Sequence, residues 1–396
     1  MTDDPRSRMA RALEALDRAS RRRALAPAAP LDGMAVERDG RRLVNFASND
    51  YLGLARDPRL AKAAARGAAL GTGAASSRLV SGTLPAHRRL ERALCALKGT
   101  GAALAMGPGF QTNAGALAAL LEPEAAGDAP LVLADRQIHA SMHDGLRLAG
   151  VRPRRFRHND LGHLQALLEQ HGPGASTILV LTESVFSMDG DRADLPGMVA
   201  LARRHGAFLY VDEAHATGVL GPAGAGLCAE PEVRGRVDLV MGTFSKALGG
   251  YGAFAATDPT VADWLVNRCR SFLYSTALPP SMAAAALKAV ELLPGLEPRR
   301  ERALRLAERL RAALARMGIG TLASSTQIVP AVFGADADAL AAARILGEHG
   351  VLAPAIRPPT VPEGTARLRF SVSAGHTDEN LDQLLQALAA LGRVSA

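Results

Sequence analysis

The middle of the sequence, between about residues 90 and 255, alternates short apolar runs with amphipathic segments of helical periodicity. Runs of four to six apolar residues are typical of strands buried on both faces, as in parallel sheets. The candidate strands are Ala102–Met106, Leu131–Ala134, Ile178–Thr182, Phe208–Asp212, Leu239–Thr243 and Gly252–Ala256. The alternation therefore predicts an α/β fold with a mostly parallel central sheet flanked by helices.

The chain on either side of this region has other patterns. Residues 8–23 have amphipathic helical periodicity, and the Asp39-Gly40 turn lies between two short strand-like runs. Beyond Pro279-Pro280 a helical pattern extends to about residue 316, followed by strand, helix, strand, strand and helix. We predict three parts: an N-terminal helix and short hairpin (1–45), a large α/β domain (46–285) and a small C-terminal α+β domain (286–396).

Composition disfavours several classes of protein. With 48% hydrophobic and 21% charged residues, the chain is globular rather than disordered. The net charge of +7 comes from scattered arginines without interleaved aromatic residues, which disfavours nucleic acid as a partner and favours an ordinary solvated surface. The alternative is a preference for polyanionic ligands, such as a phosphorylated cofactor and a nucleotide-bearing thioester. The three cysteines have no metal-type spacing, and no secretory core or membrane-length apolar run is evident. We therefore expect a cytoplasmic protein without a metal site or a membrane partner.

One of only four lysines has an unusual setting. Lys246 follows a predicted buried strand and lies among small residues, whereas Lys62, Lys98 and Lys288 lie in helical patterns and are expected at the surface. A lysine at a strand end in a glycine-rich pocket suits Schiff-base formation. Asp212 ends another predicted strand; it could simply cap the next helix, but it could also hold a pyridine nitrogen protonated. Together these two residues predict a pyridoxal 5'-phosphate (PLP) enzyme.

Three further motifs supply candidates for the rest of such a site. The run Met106–Asn113 is a strand end, a glycine turn and a helix start, which suits phosphate binding but is also common in ordinary turns. Thr243 could donate its hydroxyl to the same phosphate. His139 could lie flat on a cofactor ring or merely cap a helix. Arg357 precedes two prolines, which favours either a fixed carboxylate-binding guanidinium or a stiff loop with an incidental arginine.

Five motifs, in order along the chain, resemble the α-oxoamine synthase family of PLP-dependent enzymes: Ser48–Gly53, Thr182–Gly190, Val211–Gly218, Thr243–Lys246 and Ile356–Pro362. The resemblance covers most of the chain. It implies PLP-dependent transferase fold type I and a homodimer with active sites at the subunit interface. It also implies a decarboxylative condensation of an amino acid with an acyl thioester.

The resemblance further implies roles for single residues. Lys246 would hold the cofactor covalently, Asp212 would pair with the pyridine nitrogen and His139 would stack on the ring. The other residues that would contact the cofactor are His215 and Ser187 near its phenolic oxygen, Gly109, Phe110 and Thr243 at the phosphate, and Thr276 reaching the phosphate from the other subunit. The residues that would contact substrates are Arg357 at the amino-acid carboxylate, Asn49 near the reacting centre and Arg21 at the acyl group.

Two positions depart from the pattern expected of some relatives, because Ser245 stands in place of a glycine and Glu213 in place of a second aspartate. The longer run Ile356–Arg369 points to a family member that uses L-alanine and a pimeloyl thioester, carried on coenzyme A or an acyl carrier protein. Alternatives within the family are glycine with a shorter acyl-CoA, as in 2-amino-3-ketobutyrate ligase or 5-aminolevulinate synthase, and a long-chain sphingoid-type synthase. Outside it, an aminotransferase or a basic nucleic-acid-binding module stays open.

Overall fold

The computed structural model describes residues 4–391. Its helices are α1 (Pro5–Arg18), α2 (Pro58–Ala68), α3 (Pro85–Lys98), α4 (Gly109–Leu120), α5 (Pro123–Ala126), α6 (Ala140–Leu148), α7 (Leu161–His171), α8 (Leu195–Arg204), α9 (Pro259–Arg268), α10 (Arg270–Leu273), α11 (Pro280–Leu292), α12 (Glu297–Arg316), α13 (Asp336–Glu348) and α14 (Asp378–Leu391). Its strands are β1 (Ala29–Pro30), β2 (Ala35–Arg38), β3 (Arg41–Asn45), β4 (Ala102–Met106), β5 (Leu131–Asp135), β6 (Arg154–Phe156), β7 (Ile178–Glu183), β8 (Phe208–Asp212), β9 (Leu239–Thr243), β10 (Ala253–Thr257), β11 (Ile328–Gly334), β12 (Val351–Leu352), β13 (Ala355–Ile356) and β14 (Ala366–Ser371). None of the helices within residues 4–391 is long and apolar enough to cross a membrane.

Contacts along the chain divide it into two compact units. The sheet unit contains Asn49–Ser187 and Arg192–Glu301. The terminal unit joins the chain up to Ser48 to residues 188–191 and to the chain from Arg302 onwards. This division differs from the predicted three parts, because β3 pairs in parallel with β12 and so ties the N-terminal hairpin to the C-terminal segment.

The sheet unit is built on one seven-stranded sheet with the order β4-β10-β9-β8-β7-β5-β6. The strands from β9 to β6 run parallel to one another, whereas β10 is antiparallel to both of its neighbours. All six predicted strands are present, and the predicted fold class is confirmed. The sequence pattern missed β6, because its two arginines are exposed and only Phe156 is buried.

Helix starts in the sheet unit follow from local sequence. The helices α2, α7, α8 and α9 each begin after an aspartate whose side chain accepts a hydrogen bond from a main-chain N–H of the first turn: Asp57, Asp160, Asp194 and Asp258. Such caps satisfy donors that the helix itself leaves unpaired. The helices α4 and α6 pack together, and α4 contributes to the buried core that also contains the apolar residues of β5 and β9.

The terminal unit contains two small sheets, with orders β1-β2-β3-β12 and β11-β14-β13. Its apolar core includes Phe46, Leu310 and Phe370, all fully buried. The predicted N-terminal helix is present as α1, which begins earlier than its apolar pattern suggested because Pro5 occupies the first turn. It also ends earlier, at Arg18, and Ser20 just beyond it has a left-handed backbone conformation with φ 56°. The predicted hairpin around Asp39-Gly40 is β2 and β3.

Candidate active site

The predicted lysine and acid lie at the carboxyl ends of neighbouring parallel strands. Asp212 is the last residue of β8, and Lys246 follows the end of β9 by three residues. Because β8 and β9 are parallel, both residues lie at the same edge of the sheet, where open α/β sheets bind ligands. The charges of Asp212 and Lys246 both act on the pKa of His139, which places all three groups within one electrostatic neighbourhood.

The carboxylate of Asp212 is fixed by hydrogen bonds. Its Oδ1 accepts from the Ala214 N–H at 2.8 Å and its Oδ2 accepts from Asn113 Nδ2 at 2.7 Å. The Tyr210 hydroxyl donates to Asn113 Oδ1 at 2.7 Å, which sets the orientation of that amide. Asp212 is 4% exposed, so the protein holds an oriented acceptor in a site shielded from water. Asn113 belonged to the glycine-turn motif, but its contact with Asp212, 99 residues further along the chain, could not be predicted from that motif.

The network continues from Asn113 to His139. Asn113 Nδ2 also donates to Ser141 Oγ at 2.9 Å, and Ser141 Oγ lies 2.7 Å from His139 Nδ1. The same Nδ1 accepts from the Ser141 N–H at 3.2 Å, so it caps α6 and carries no proton. Partial burial lowers the pKa of His139, which favours the neutral ring. The structure therefore shows the capping role, and stacking of this ring on a cofactor stays a prediction.

Lys246 begins a second chain of hydrogen bonds. Its Nζ lies 2.7 Å from His215 Nε2, and His215 Nδ1 lies 2.7 Å from the Tyr51 hydroxyl. Tyr51 in turn donates to Asn49 Oδ1 at 3.0 Å. A lysine ammonium can only donate, so Nε2 accepts, Nδ1–H donates to Tyr51 and the chain has a single consistent direction. Three predicted site residues thus meet, and the fully buried Tyr51, which sequence reasoning gave no role, joins them.

The glycine turn after β4 leads directly into α4. Gly109 is the first helical residue, and a Cβ there would lie 2.9 Å from Met241 Cε, so the methionine side chain packs closely against the start of α4. The first N–H groups of a helix lack partners within the helix and suit an anion. Phe110 is exposed, with its ring edge toward His139 at 6.3 Å between centroids.

The hydroxyl of Thr243, predicted to bind a phosphate, already has hydrogen-bond partners within the protein. Its hydroxyl donates to the Gly252 carbonyl at 2.8 Å, and its Oγ1 accepts from the Ser245 N–H at 3.1 Å. The 2.7 Å contact between the two hydroxyls then has Ser245 as the donor. A phosphate contact by Thr243 stays a prediction, and Ser245, the residue that departs from the family pattern, fixes the turn that leads to Lys246.

Ser187 and Thr276 are the other two predicted cofactor residues. Ser187 is half-buried in the segment that follows β7. Thr276 is exposed and forms an isolated antiparallel bridge with Ser77. Exposure of Thr276 is compatible with the expected contact across a subunit interface, which stays a prediction.

The two predicted substrate arginines belong to the terminal unit. Arg357 donates through Nη1 to the Ser20 carbonyl, while its buried Nε has no hydrogen-bond partner among the described residues. Burial and the charge of Arg23 lower the pKa of Arg357. Its unsatisfied donor suits a carboxylate ligand. Arg21 is instead held by Asp336 at 3.0 Å and Glu363 at 2.6 Å, so its guanidinium is already paired.

Two buried charges were not anticipated. Lys98 was expected at the surface, and this was wrong: its ammonium is fully buried against Glu213 at 2.6 Å, because an internal carboxylate compensates it. Glu183, at the end of β7, is 2% exposed and is the register partner of Asp212. Burial and the charge of Asp212 raise the pKa of Glu183 well above its ordinary value. The motif Thr182–Gly190 contained Glu183, but its burial beside Asp212 depends on strand order.

These residues fit PLP. The site offers an amine at Lys246, an oriented carboxylate at Asp212 and an open helix N-terminus at α4 for a phosphate. In addition, Glu183 Oε1 is buried without a hydrogen-bond partner within residues 4–391, as expected where a polar group binds. The fold and the site together define a PLP-dependent enzyme of fold type I.

Comparison with known proteins narrows the class. The aminotransferase class I and II family profile matches residues 41–388. A putative 8-amino-7-oxononanoate synthase of Bordetella bronchiseptica is 54% identical, over 93% of this chain and 92% of its own length. The 8-amino-7-oxononanoate synthase of Gluconacetobacter diazotrophicus is 51% identical over 95% of both chains. The chain belongs to the 8-amino-7-oxononanoate synthase family.

Solved structures agree on the fold. Serine palmitoyltransferase of Sphingomonas wittichii superposes with a TM-score of 0.91 at 31% identity and covers 99% of both chains. The 8-amino-7-oxononanoate synthase of Francisella tularensis superposes with a TM-score of 0.75 at 25% identity, over 89% of this chain and 98% of its own. A serine palmitoyltransferase from S. paucimobilis was solved with PLP. The predicted fold type, the PLP-dependent class and the acyltransferase class are therefore confirmed.

Proposed function

We propose that this enzyme condenses L-alanine with a pimeloyl thioester to give 8-amino-7-oxononanoate, carbon dioxide and a free thiol, as a step of biotin synthesis. Lys246 and Asp212, at the ends of adjacent parallel strands, carry the proposal. They can grip opposite ends of a bound cofactor. The names of relatives at about half identity over most of the chain support the choice of substrates.

PLP, when bound, supplies an electron sink for negative charge on the α-carbon of an attached amino acid. Lys246 is positioned to take the α-proton as an amine, and His215 Nε2, 2.7 Å away, can hold a proton that the amine gives up. Asp212 holds the complementary negative charge, with both of its oxygens fixed by donors. Arg357 binds the alanine carboxylate through its unsatisfied Nε.

The remaining steps occur on the substrates. The α-carbon, as a carbanion, attacks the thioester carbonyl and the thiol leaves with the carbonyl–sulfur electron pair. The β-keto acid formed in this way loses carbon dioxide, and a proton replaces the carboxylate on the α-carbon. His139, neutral and anchored through Ser141 to Asn113, is the residue that would stack on the cofactor ring.

The test is a matrix of purified enzyme with alanine, glycine or serine against pimeloyl-, acetyl- and palmitoyl-CoA, scored by thiol release. We expect alanine with pimeloyl-CoA to give the highest kcat/KM, and pimeloyl-acyl carrier protein run in parallel identifies the preferred carrier. A higher kcat/KM for glycine with acetyl-CoA would contradict the proposal while leaving the family assignment intact.

A second candidate follows from one comparison. The serine palmitoyltransferase of S. wittichii superposes with a higher TM-score than the Francisella synthase, 0.91 against 0.75, and covers more of this chain. A long-chain reaction of serine with palmitoyl-CoA is therefore the alternative with structural support. The same matrix separates it, because that reaction requires serine turnover with the palmitoyl thioester.

The proposal includes a homodimer in the cytoplasm. Leu79 and Val80 are 52% and 81% exposed, and Tyr274 near Thr276 is 73% exposed. The bridge between Ser77 and Thr276 brings these two stretches together, and a contiguous apolar patch suits a surface that a partner covers. Cys95, Cys228 and Cys269 are free thiols, as expected in a reducing compartment.

A further inference from the structure

A buried ion pair lies directly behind the site, within the sheet unit. Lys98, the last residue of α3, donates to Glu213 Oε2 at 2.6 Å, to Thr217 Oγ1 at 2.7 Å and to the Ala225 carbonyl at 2.6 Å. Both charged side chains are fully buried. An ammonium has three donors, so all three are satisfied. The other carboxylate oxygen, Glu213 Oε1, accepts from the Cys228 N–H at 2.8 Å.

The three acceptors of Lys98 lie on one segment of chain, residues 213–228. That segment begins next to Asp212 and contains His215. Main-chain hydrogen bonds from Ala216 and Thr217 to the Glu213 carbonyl, both 3.0 Å, close the turn that carries His215. The side chain and the main chain of Glu213 therefore both determine where the His215 ring lies.

The carboxylate has no room to move. A Cβ at Gly226, which has φ +95°, would lie 2.7 Å from Glu213 Cδ, so only glycine allows the carboxylate to sit against this backbone. On the far side, the Lys98 ammonium lies 5.5 Å from the centroid of the Phe254 ring. A charge pair packed this tightly fixes geometry, because any shift breaks several short hydrogen bonds at once.

Burial alone does not explain why a charged pair is retained. Replacing such a pair by neutral residues of similar volume is often neutral or stabilising, whereas removal of one partner is strongly destabilising. Stability would thus be equally well served by an uncharged pair. The Lys98–Glu213 pair instead connects α3 to two residues of the site, since Asp212 directly precedes Glu213 and His215 follows it by two residues.

We propose that Lys98 and Glu213 are positioning residues, which act through the 213–228 segment to hold His215 at hydrogen-bonding distance from Lys246. The inference rests on the proposed function only where turnover is measured. The reaction of the Lys246 amine with added PLP in the cofactor-free protein tests it separately.

The informative variant is the neutral pair Lys98→Met with Glu213→Gln, since the glutamine keeps an acceptor for the Cys228 N–H and neither buried charge is left alone. Three quantities are measured: the melting temperature, the second-order rate constant for colour development with PLP against pH, and kcat and KM with alanine and pimeloyl-CoA. The single variant Lys98→Met reports the cost of an unpaired Glu213 and is expected to melt far earlier.

The matched control is Leu168→Ala. Leu168 is a fully buried residue of α7, and this helix packs on β5 and β6, the last two strands on one side of the sheet. This substitution lowers stability without touching the 213–228 segment. The control distinguishes an effect of lower stability from an effect of a displaced His215 ring.

For the neutral pair we expect a melting temperature closer to wild type than that of Lys98→Met. The rate constant with PLP should fall about tenfold with a displaced pH profile, and kcat should fall on the order of ten- to a hundredfold with little change in KM. Leu168→Ala should keep both rates. The inference is overturned if the neutral pair reacts with PLP within twofold of wild type, or if Leu168→Ala loses rate equally. If the wild-type protein reacts with PLP but does not turn over alanine with pimeloyl-CoA, the proposed function is wrong. The rate of reaction with PLP then still tests whether Lys98 and Glu213 position His215.

Discussion

Glu183 shows how a single side chain in this site opposes folding. It is buried beside Asp212, one of its oxygens has no hydrogen-bond partner among the described residues, and its pKa is raised well above 4.5. The unfolded chain releases this proton near the ordinary pKa, whereas the folded protein retains it to higher pH. The contribution of Glu183 to stability is therefore most favourable below the ordinary pKa of this carboxyl and declines as pH rises toward the folded value.

We predict that Glu183→Gln raises the melting temperature at pH 7 by a few degrees, because glutamine carries no charge to desolvate. The gain should vanish below about pH 4, where the unfolded carboxyl is also protonated. Calorimetry of both proteins from pH 4 to 8 measures the difference. A gain that is constant across this range would show that the pKa of Glu183 is not the cause.

At the residue scale, a site residue could be predicted from the sequence where its residue type is rare or its position at a strand end is distinctive. Lys246 and Asp212 could be singled out because lysine is scarce in this sequence and both residues end predicted strands. Tyr51 and Asn113 could not, because each acts through a partner far away in sequence that only the fold brings near. Lys98 was misassigned for the same reason, since its carboxylate partner is 115 residues away.

The close crossing of α2 and α11 gives a prediction at the scale of elements. A Cβ at Gly67 would lie 2.8 Å from both the Pro280 carbonyl carbon and Ser281 Cα, which are main-chain atoms that cannot move aside. We predict that Gly67→Ala lowers the free energy of unfolding by about 1–3 kcal/mol. Denaturant titration measures the change.

The control is Gly347→Ala in α13, where, within residues 4–391, no atom apart from the chain neighbours and the adjacent helix backbone lies within 4 Å of the added Cβ. This change should stabilise the protein by roughly 0.5–1 kcal/mol, because alanine favours the helix. If the two substitutions shift stability in the same direction, the close helix contact is not what requires Gly67.

His376, just before α14, links three elements of the terminal unit. Its ring stacks on Phe46 at 4.0 Å between centroids, Nδ1 accepts from the Ser373 N–H and Nε2 donates to the Asn45 carbonyl. Burial lowers the pKa of His376 to about 4. A depressed histidine pKa means that the unfolded chain binds the proton first, so the stabilisation is present above about 6.5 and is lost as pH falls toward 4.

We therefore predict that wild-type stability falls by roughly 3 kcal/mol between pH 6.5 and 4 through this group alone. His376→Gln should be less stable at pH 7 but should show a shallower decline with acid. The exchange Leu384→Ala, at a fully buried residue of α14, serves as the comparison, because it removes no titratable group and should leave the slope unchanged. Equal slopes for wild type and His376→Gln would contradict the assignment.

At the element scale, apolar runs located the central strands within a residue or two, because burial on both faces leaves an uninterrupted signal. The apolar pattern did not reveal β6, the outermost strand of the sheet, because only one of its three residues is buried. The antiparallel direction of β10 could not be read from its composition, because strand direction is set by connections and not by side chains.

At the scale of the whole molecule, the proposed homodimer can be tested through the exposed turn at Arg78–Gly82. We predict that Val80→Asp shifts the protein from dimer to monomer in sedimentation equilibrium, because it would bury a charge in an apolar contact. Cofactor affinity should fall with the dimer, since Thr276 is expected to reach the phosphate of the other subunit.

Leu148→Asp is the matched control, because Leu148 on α6 is similarly exposed, at 71%, and has no role in the proposed interface. A protein that is monomeric before any substitution, and that still binds PLP and turns over, would exclude the shared active site.

In the proposed enzyme, Lys246 alone among the four lysines holds the cofactor opposite Asp212. This can be measured by borohydride reduction of the PLP-loaded protein followed by peptide mapping. We predict a single phosphopyridoxyl group on the peptide containing Lys246, lost in Lys246→Ala together with the yellow colour. A label on Lys62, Lys98 or Lys288, or colour that persists in Lys246→Ala and still responds to borohydride, would contradict it.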